Sequence, residues 1–290
     1  MPNTVTRSAG SHLANGNFNP VIWAKKLNNK YYSQCFLPDI TNSDYEGEIK
    51  GQGATVTIRT RPTVQINDYL VNMDMQYQDI VDEKIDLLID KAKYFSFKLD
   101  DVDAAQSDIK ILNELTTDAG YQMKIAMEKE FLATVYGTAG RALSSTAVDA
   151  TNVIPWIIDA EVQMELANAP VDGRWVIITP KTAGFIQKSD LKNANMTGDA
   201  ESITRKNMSN GRLGKIGGID VYVSNNLAFA GSTAYCMAGH KSAITYASQI
   251  VKVETLRLQQ KFGDAVRGLN VYGYKTLLPD CLIAMPTSTG

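Results

Sequence analysis

The sequence is poor in the residues that disulfide and metal chemistry use. It contains three cysteines and two histidines in 290 residues. Cys35, Cys236 and Cys281 lie far apart and form no CxxC pair, and neither histidine has a cysteine or carboxylate at metal-ligand spacing. This pattern excludes a disulfide framework and predicts reduced, partly buried thiols with no metal site.

A strong net charge and long hydrophobic runs are also missing. The formal net charge is -2, so the composition predicts no strong attraction to nucleic acid or to an anionic membrane. No run approaches the ~20 apolar residues of a membrane helix. Residues 1–20 lack the apolar core of a signal peptide. We therefore expect no membrane association, and synthesis and folding in a cytoplasm.

Catalytic motifs are scarce. Ser189 and Lys192 match only two positions of a serine/lysine acyl-transfer signature, and its partner motifs are absent. The glycines within 214–218 lack the following helix that a phosphate loop needs. The aspartates within 100–103 fit a helix start better than a cation site, because no glycine-bearing loop or distal glutamate follows. The sequence predicts no catalytic, cofactor-binding or metal-binding residue, and hence a protein that is not an enzyme.

The longest segment that can be helical without interruption is 100–136. Asp103 followed by Gln106 fits a capping box at its start, and Gly137 lies where a helix stop is expected. At about 1.5 Å per residue, this helix would be roughly 50 Å long. Its predicted apolar face comprises Ile109, Leu112, Leu115, Ala119, Met123 and Ala126 or Met127. We expect a spine helix with this face in the core, so that Leu115→Asp would abolish folding.

Strand patterns flank this helix on both sides. Apolar residues alternate with polar ones at 55–59 and again at 64–67, on either side of Pro62, which predicts a polar two-stranded hairpin in need of support from a neighbour. Strands are also expected at 83–90 and 91–100, sharing a core with the helix. Beyond 138, helices alternate with apolar strands, and strands after 250 close the chain. The order predicts an α+β fold with an α/β second lobe.

Five stretches, in this order, resemble the major capsid proteins of tailed bacteriophages, which share the Hong Kong 97-type capsid fold. They are KGQGATVTIRTRPTV, YFSFKLDDVDAAQSD, GRWVIITPKTAGFI, GKIGGIDVYVSNNL and NVYGYKTLLPDCLIA. The resemblance covers about residues 18–286. It implies an N-terminal arm (1–44), an E-loop (45–72), a P-domain with the spine helix (73–137), an A-domain (138–249) and return strands to the P-domain (250–290).

The resemblance also implies a function. Many copies, as hexamers and pentamers, would self-assemble into the icosahedral shell of a virion around packaged double-stranded DNA, with weak non-specific contact to it. The arm is too short for a built-in scaffolding segment, which implies a separate scaffolding protein, a portal and a place for a decoration or cement protein. Two alternatives stay open: an encapsulin-type compartment with the same fold, and an α/β enzyme with an unrecognised site.

Two groups of residues are expected to contact neighbouring subunits. In the E-loop they are Lys50, Arg59 and Arg61, and in the arm they are Trp23, Tyr31 and Tyr32. Both groups follow from the resemblance, since arms and loops that reach over neighbours provide the heterologous contacts of a closed shell.

Overall fold

A computed structural model describes the chain over much of its length. The described residues are 31–45, 55–59, 62, 64–68, 71, 73–74, 77–79, 84–100, 110–189, 212–258 and 263–288. The chain divides into two units, Met1–Tyr31 and Tyr32–Gly290. All helices and strands within the described residues belong to the second unit.

The described residues form four α-helices and thirteen strands. The helices are α1 (Leu37–Ile40), α2 (Lys110–Val135), α3 (Val153–Leu166) and α4 (Pro180–Lys188). The strands are β1 (Thr55–Arg59), β2 (Lys84–Leu88), β3 (Lys91–Asp100), β4 (Arg141–Ala142), β5 (Thr146–Ala147), β6 (Arg174–Ile178), β7 (Arg212–Ile216), β8 (Ile219–Val223), β9 (Phe229–Ala230), β10 (Thr233–His240), β11 (Ile244–Arg257), β12 (Gly263–Thr276) and β13 (Leu282–Ser288).

These strands form three sheets. One has the order β11-β12-β3 and is antiparallel throughout. The largest has eight strands in the order β4-β13-β10-β6-β8-β7, with β5 paired to β13 and β9 paired to β10. The third is a two-stranded ribbon of β1 and β2. Helices and mixed sheets in these proportions confirm the predicted α+β class.

The ribbon corrects the predicted hairpin. We expected 55–59 to pair with 64–67, but β1 pairs with β2, with Val56 opposite Leu87 and Ile58 opposite Ile85. Val56 and Ile58 are buried in a small core with Leu87 and with residues of β11 and β12. The ribbon therefore serves its own chain as well as any neighbour, whereas 64–68 forms no strand.

The structure confirms a long helix within 100–136, but its buried face lies nearer the C-terminal end of the helix than predicted. α2 begins at Lys110 in the described residues, and the Asp103–Gln106 box lies outside them. Leu115 is 36% exposed, so its placement in the core was wrong. The buried apolar positions are Met127, Phe131, Leu132 and Val135, because only the second half of the helix lies on the main core. At about 1.5 Å per residue, α2 is roughly 39 Å long.

A carboxylate network holds α2 against the three-stranded sheet. Glu130 accepts from Lys91 at 2.9 Å, from Lys93 at 2.6 Å and from the Tyr272 hydroxyl at 2.9 Å. Burial alone would raise the pKa of Glu130, but hydrogen bonds from the two lysines and the tyrosine outweigh it and lower the pKa to about 2. One side chain thus links the helix to β3 and β12.

The closing strands return to two different sheets. β11 and β12 form a long hairpin that starts at Ile244. β12 also pairs with β3, which is the strand that precedes α2 in the sequence. β13 does not follow them. It enters the large sheet between β10 and β4, where Leu282, Ile283 and Met285 are fully buried. We expected all of 250–290 to return to the P-domain strands, and this was wrong for β13. The continuous apolar run of β13 is stable only where both faces of the strand are buried, as they are inside the large sheet.

Gly120, in the middle of α2, provides a test of the helix. A glycine there weakens the helix, and a Cβ built on it meets nothing within 4 Å. We expect Gly120→Ala to raise the free energy of unfolding of the isolated subunit by about 0.5–1 kcal/mol in chemical denaturation. Gly273→Ala is the opposite control, because its Cβ would overlap the Leu88 carbonyl oxygen. A Gly120→Ala subunit less stable than the parent would contradict the open environment of this position.

Candidate assembly surfaces

The outer face of the β1–β2 ribbon is polar and carries two cations at one end. Thr57 donates to Asp86 across the strands at 2.9 Å. At the next pair on the same face of the ribbon, exposed Arg59 lies directly opposite exposed Lys84. Like charges directly opposite each other in an antiparallel pair are destabilising. This end of the ribbon is therefore suited to an acidic partner surface.

Of the three predicted E-loop contacts, only Arg59 can be placed. It ends β1 with its side chain in solvent. Lys50 and Arg61 lie outside the described residues. The sequence could not predict that Arg59 lies opposite Lys84. Hydrophobic periodicity is a local pattern, and it does not show which distant strand pairs with which.

The arm residues have different surroundings. Tyr31 is 98% exposed. Tyr32 stacks on Tyr121 of α2, with ring centroids 5.9 Å apart and planes 15° apart. Trp23 lies outside the described residues. Tyr32 thus already contacts its own spine helix, while Tyr31 presents its whole ring to solvent, and their contacts with a neighbour stay predictions.

Between the two strands of the ribbon, several large apolar side chains of the described residues within 64–77 face solvent. Ile66 is 96% exposed. Its exposed apolar companions are Val64, Val71, Met73 and Tyr77. Large apolar side chains that cluster on a surface mark interaction sites. The alternation at 64–67 predicted a strand, but the structure forms none there, and Val64 and Ile66 are exposed instead.

A buried carboxylate joins the root of the arm to two other parts of the chain, an arrangement called here the Glu128 joint. Glu128 of α2 accepts from the Phe36 backbone N–H at 2.7 Å, from Asn226 Nδ2 at 3.0 Å and from Ser224 Oγ at 3.3 Å. The same Asn226 side chain accepts from Ser33 Oγ at 2.8 Å. The joint therefore fixes residues 33–36, near the end of the arm, to the spine helix and to the loop after β8.

The electrostatics of the Glu128 joint are unusual. Glu128 is fully buried, and burial raises its pKa, although the hydrogen bonds from Asn226 and Phe36 oppose that rise. Burial and the neighbouring Glu128 charge also raise the pKa of the Cys35 thiol to about 12. Cys35 is hence an unreactive thiol, and with Cys236 and Cys281 it confirms the prediction of free, partly buried cysteines.

The sequence reading missed the Glu128 joint. A glutamate on a helix is normally assigned to the solvent side. The available signal was its position between Met127 and Phe131, inside the apolar stripe of the helix.

In the described residues there is no cluster of three or more metal-ligating side chains. No helix in the same residues is long and apolar enough to cross a membrane.

Comparison with known proteins identifies the chain. A model of the family described as "Phage capsid protein" matches residues 84–284. The chain belongs to the phage capsid protein family. A chain in a solved structure of Mycobacterium phage Che8 is 30% identical, with coverage of 93% of this chain and 97% of that one and a TM-score of 0.75. No curated protein matches.

More distant capsid structures share the fold. The capsid of cyanophage P-SCSP1u is 15% identical over 93% of both chains, with a TM-score of 0.66. The mature capsid of bacteriophage PhiM1 is 14% identical over 96% of this chain and 94% of that one, also with a TM-score of 0.66. The capsid subunit thus has the Hong Kong 97-type fold, and it is a structural subunit of a phage shell in the virion. The compartment alternative is not favoured.

Proposed function

We propose that this major capsid protein closes, as hexamers and pentamers, around packaged double-stranded DNA, and that it has no enzymatic activity. A separate scaffolding protein and a portal take part in assembly, which starts in the cytoplasm of the bacterial host. The near-zero net charge supports weak contact with DNA, because a total charge of -2 gives no overall attraction to the phosphates.

We assign the parts of the subunit as follows. Residues 1–44 form the N-terminal arm, and 45–72 form the E-loop. The P-domain combines 73–137 with the hairpin 244–276, and the A-domain combines 138–243 with β13. The last two assignments follow the pairing of β12 with β3 and of β13 with β10. Support for these boundaries is that each of the two larger sheets then lies within one domain, while the β1–β2 ribbon joins the E-loop to the P-domain.

The observation that carries the assembly proposal is the exposed apolar segment 64–77. Ile66 is 96% exposed and Tyr77 is 93% exposed, so the described residues of the subunit leave both almost uncovered. In a chain that belongs to a shell-forming family, a neighbouring subunit is the natural cover. The basic end of the ribbon, at Arg59 and Lys84, gives the same region a charged part for a neighbour's acidic surface.

Ile66→Asp tests this proposal. Because Ile66 contributes almost nothing to the core of its own subunit, we expect the free energy of unfolding to change by less than about 0.5 kcal/mol. Assembly should be lost or reduced at least tenfold, since a charge would be buried at the contact. Sedimentation measures the fraction of the protein in particles, and Leu278→Asp, at a half-exposed apolar residue outside this segment, is the control. Normal particle yield with Ile66→Asp would contradict the assigned role of the segment.

A further inference from the structure

Helix α3 is apolar on two opposite faces. Its inner face packs on the large sheet through Val153, Trp156, Ile157, Ala160 and Met164. Ile158, Val162 and Leu166 follow one another at intervals of four, so they form one line along the helix, called here the α3 stripe. They are 44%, 43% and 62% exposed. At about 100° per residue, the α3 stripe lies directly opposite the inner face.

This arrangement is not that of an ordinary surface helix. A helix at the surface has one apolar face and a polar one, whereas a helix that is apolar all round is buried. The polar residues of α3 are placed beside the stripe and not on it: Asp159 flanks it on one side and Glu165 on the other. An apolar centre with charges at the rim is also the usual composition of a protein–protein interface.

We propose that the α3 stripe is covered in the assembled shell by a second copy of this chain. The inference rests on the proposed function, since it needs the shell. In a shell built of many copies of one chain, another copy is the partner present beside every subunit. Interfaces of such permanent assemblies resemble a domain core cut in half, and a helix shared between two cores must be apolar on both faces.

The chain also carries a surface with charges complementary to those of α3. The sequence of α3 contains three carboxylates and no lysine or arginine. The buried Arg174 of the same chain lies 3.7 Å from Glu161 and 3.6 Å from Glu165, and its single charge leaves the helix acidic. The sequence of α4 contains Lys181 and Lys188 and no carboxylate. These lysines and the half-buried Phe185 are spaced by four and three residues, so all three share one helix face. Each copy thus offers both an acidic apolar helix and a basic helix with an aromatic residue between its charges.

The test is the reactivity of a cysteine placed on the stripe. Val162→Cys is produced in the full chain, and free subunits are separated from assembled particles by sedimentation. Both are treated with a small maleimide, and labelling at position 162 is measured by peptide mass spectrometry. Ala160→Cys, which is fully buried against the sheet, is the control that should stay unlabelled in both fractions. Protein unfolded in guanidinium defines complete labelling.

We expect Val162→Cys to react at least ten times more slowly in particles formed by this chain alone than in free subunits. Equal labelling in both fractions would overturn the inference while leaving the shell function intact. Protection that appears only in particles made with further phage proteins would also overturn it, because another protein would then be the cover. If no condition yields particles, the proposed function fails, and this inference fails with it.

Discussion

Phe131→Asp is expected to leave no folded subunit. Phe131 is fully buried, and its ring meets the ring of Tyr274 edge-on at 5.2 Å and that of Tyr246 at 6.3 Å. Removing a buried phenylalanine costs about 3–5 kcal/mol. An unpaired carboxylate at the same place adds several kcal/mol more. The total is comparable to the whole stability of a typical domain, which is about 5–15 kcal/mol.

Leu115→Asp, on the same helix, is the matched control. Since Leu115 is partly exposed, we expect the subunit to fold and to lose no more than about 1 kcal/mol. Circular dichroism and soluble yield of the two variants compare the two halves of α2 directly. If Leu115→Asp failed to fold while Phe131→Asp folded, the buried face of the helix would be assigned to the wrong end.

Glu128→Ala is expected to destabilise the subunit by about 2–4 kcal/mol. Three donors, the Phe36 N–H, Asn226 Nδ2 and Ser224 Oγ, would lose their acceptor inside the protein. Each buried unsatisfied group costs about 1–3 kcal/mol, and relief from burying the carboxylate offsets part of the sum. Glu128→Gln keeps one oxygen and the shape of the side chain, so its cost should be clearly smaller.

The two variants also differ from the parent in their pH dependence. The pKa of Glu128 is raised by burial in the folded state, so between the unfolded and folded pKa values the folded state binds more protons than the unfolded one. The contribution of this group is therefore greatest below its unfolded pKa and is lost as pH rises through its raised folded pKa. In Glu128→Gln this loss should disappear. Denaturation at a series of pH values measures it, and an unchanged slope would contradict the raised pKa.

The Glu128 joint has a consequence for the arm. Because the joint fixes Phe36 to α2 and to the loop after β8, it sets where the arm leaves the rest of the subunit. Loss of the carboxylate in Glu128→Ala should therefore loosen residues 33–36 before it affects the sheet. Hydrogen exchange at the Phe36 amide reports this loosening directly.

Most helices and strands could be predicted from the sequence, but the pairing of the strands could not. Alternation at 55–59 and at 64–67 looks the same, yet only the first is a strand, because Leu87 and the β11–β12 hairpin supply a core for Val56 and Ile58. Periodicity reports which faces are apolar, and it does not report what covers them. The pairing of β1 with β2 joins residues that are 25 to 33 positions apart in sequence, which no local pattern shows.

The same limit explains the errors on the spine helix. The apolar period runs through Leu115 as well as through Phe131, but the main core lies only under the second half of the helix. Glu128 could not be recognised from residue type, since its partners lie 92 to 98 positions away along the chain. The resemblance in five short stretches did carry the family, because the order of the stretches adds information that no single stretch holds.

Imaging of the purified protein by cryo-electron microscopy tests the central claim most directly. The account predicts closed icosahedral particles in which the chain forms hexamers and pentamers, with segment 64–77 and the α3 stripe both lying on neighbouring copies. Protein that stays monomeric, with or without a scaffolding protein, or closed particles in which both surfaces face solvent, would contradict it.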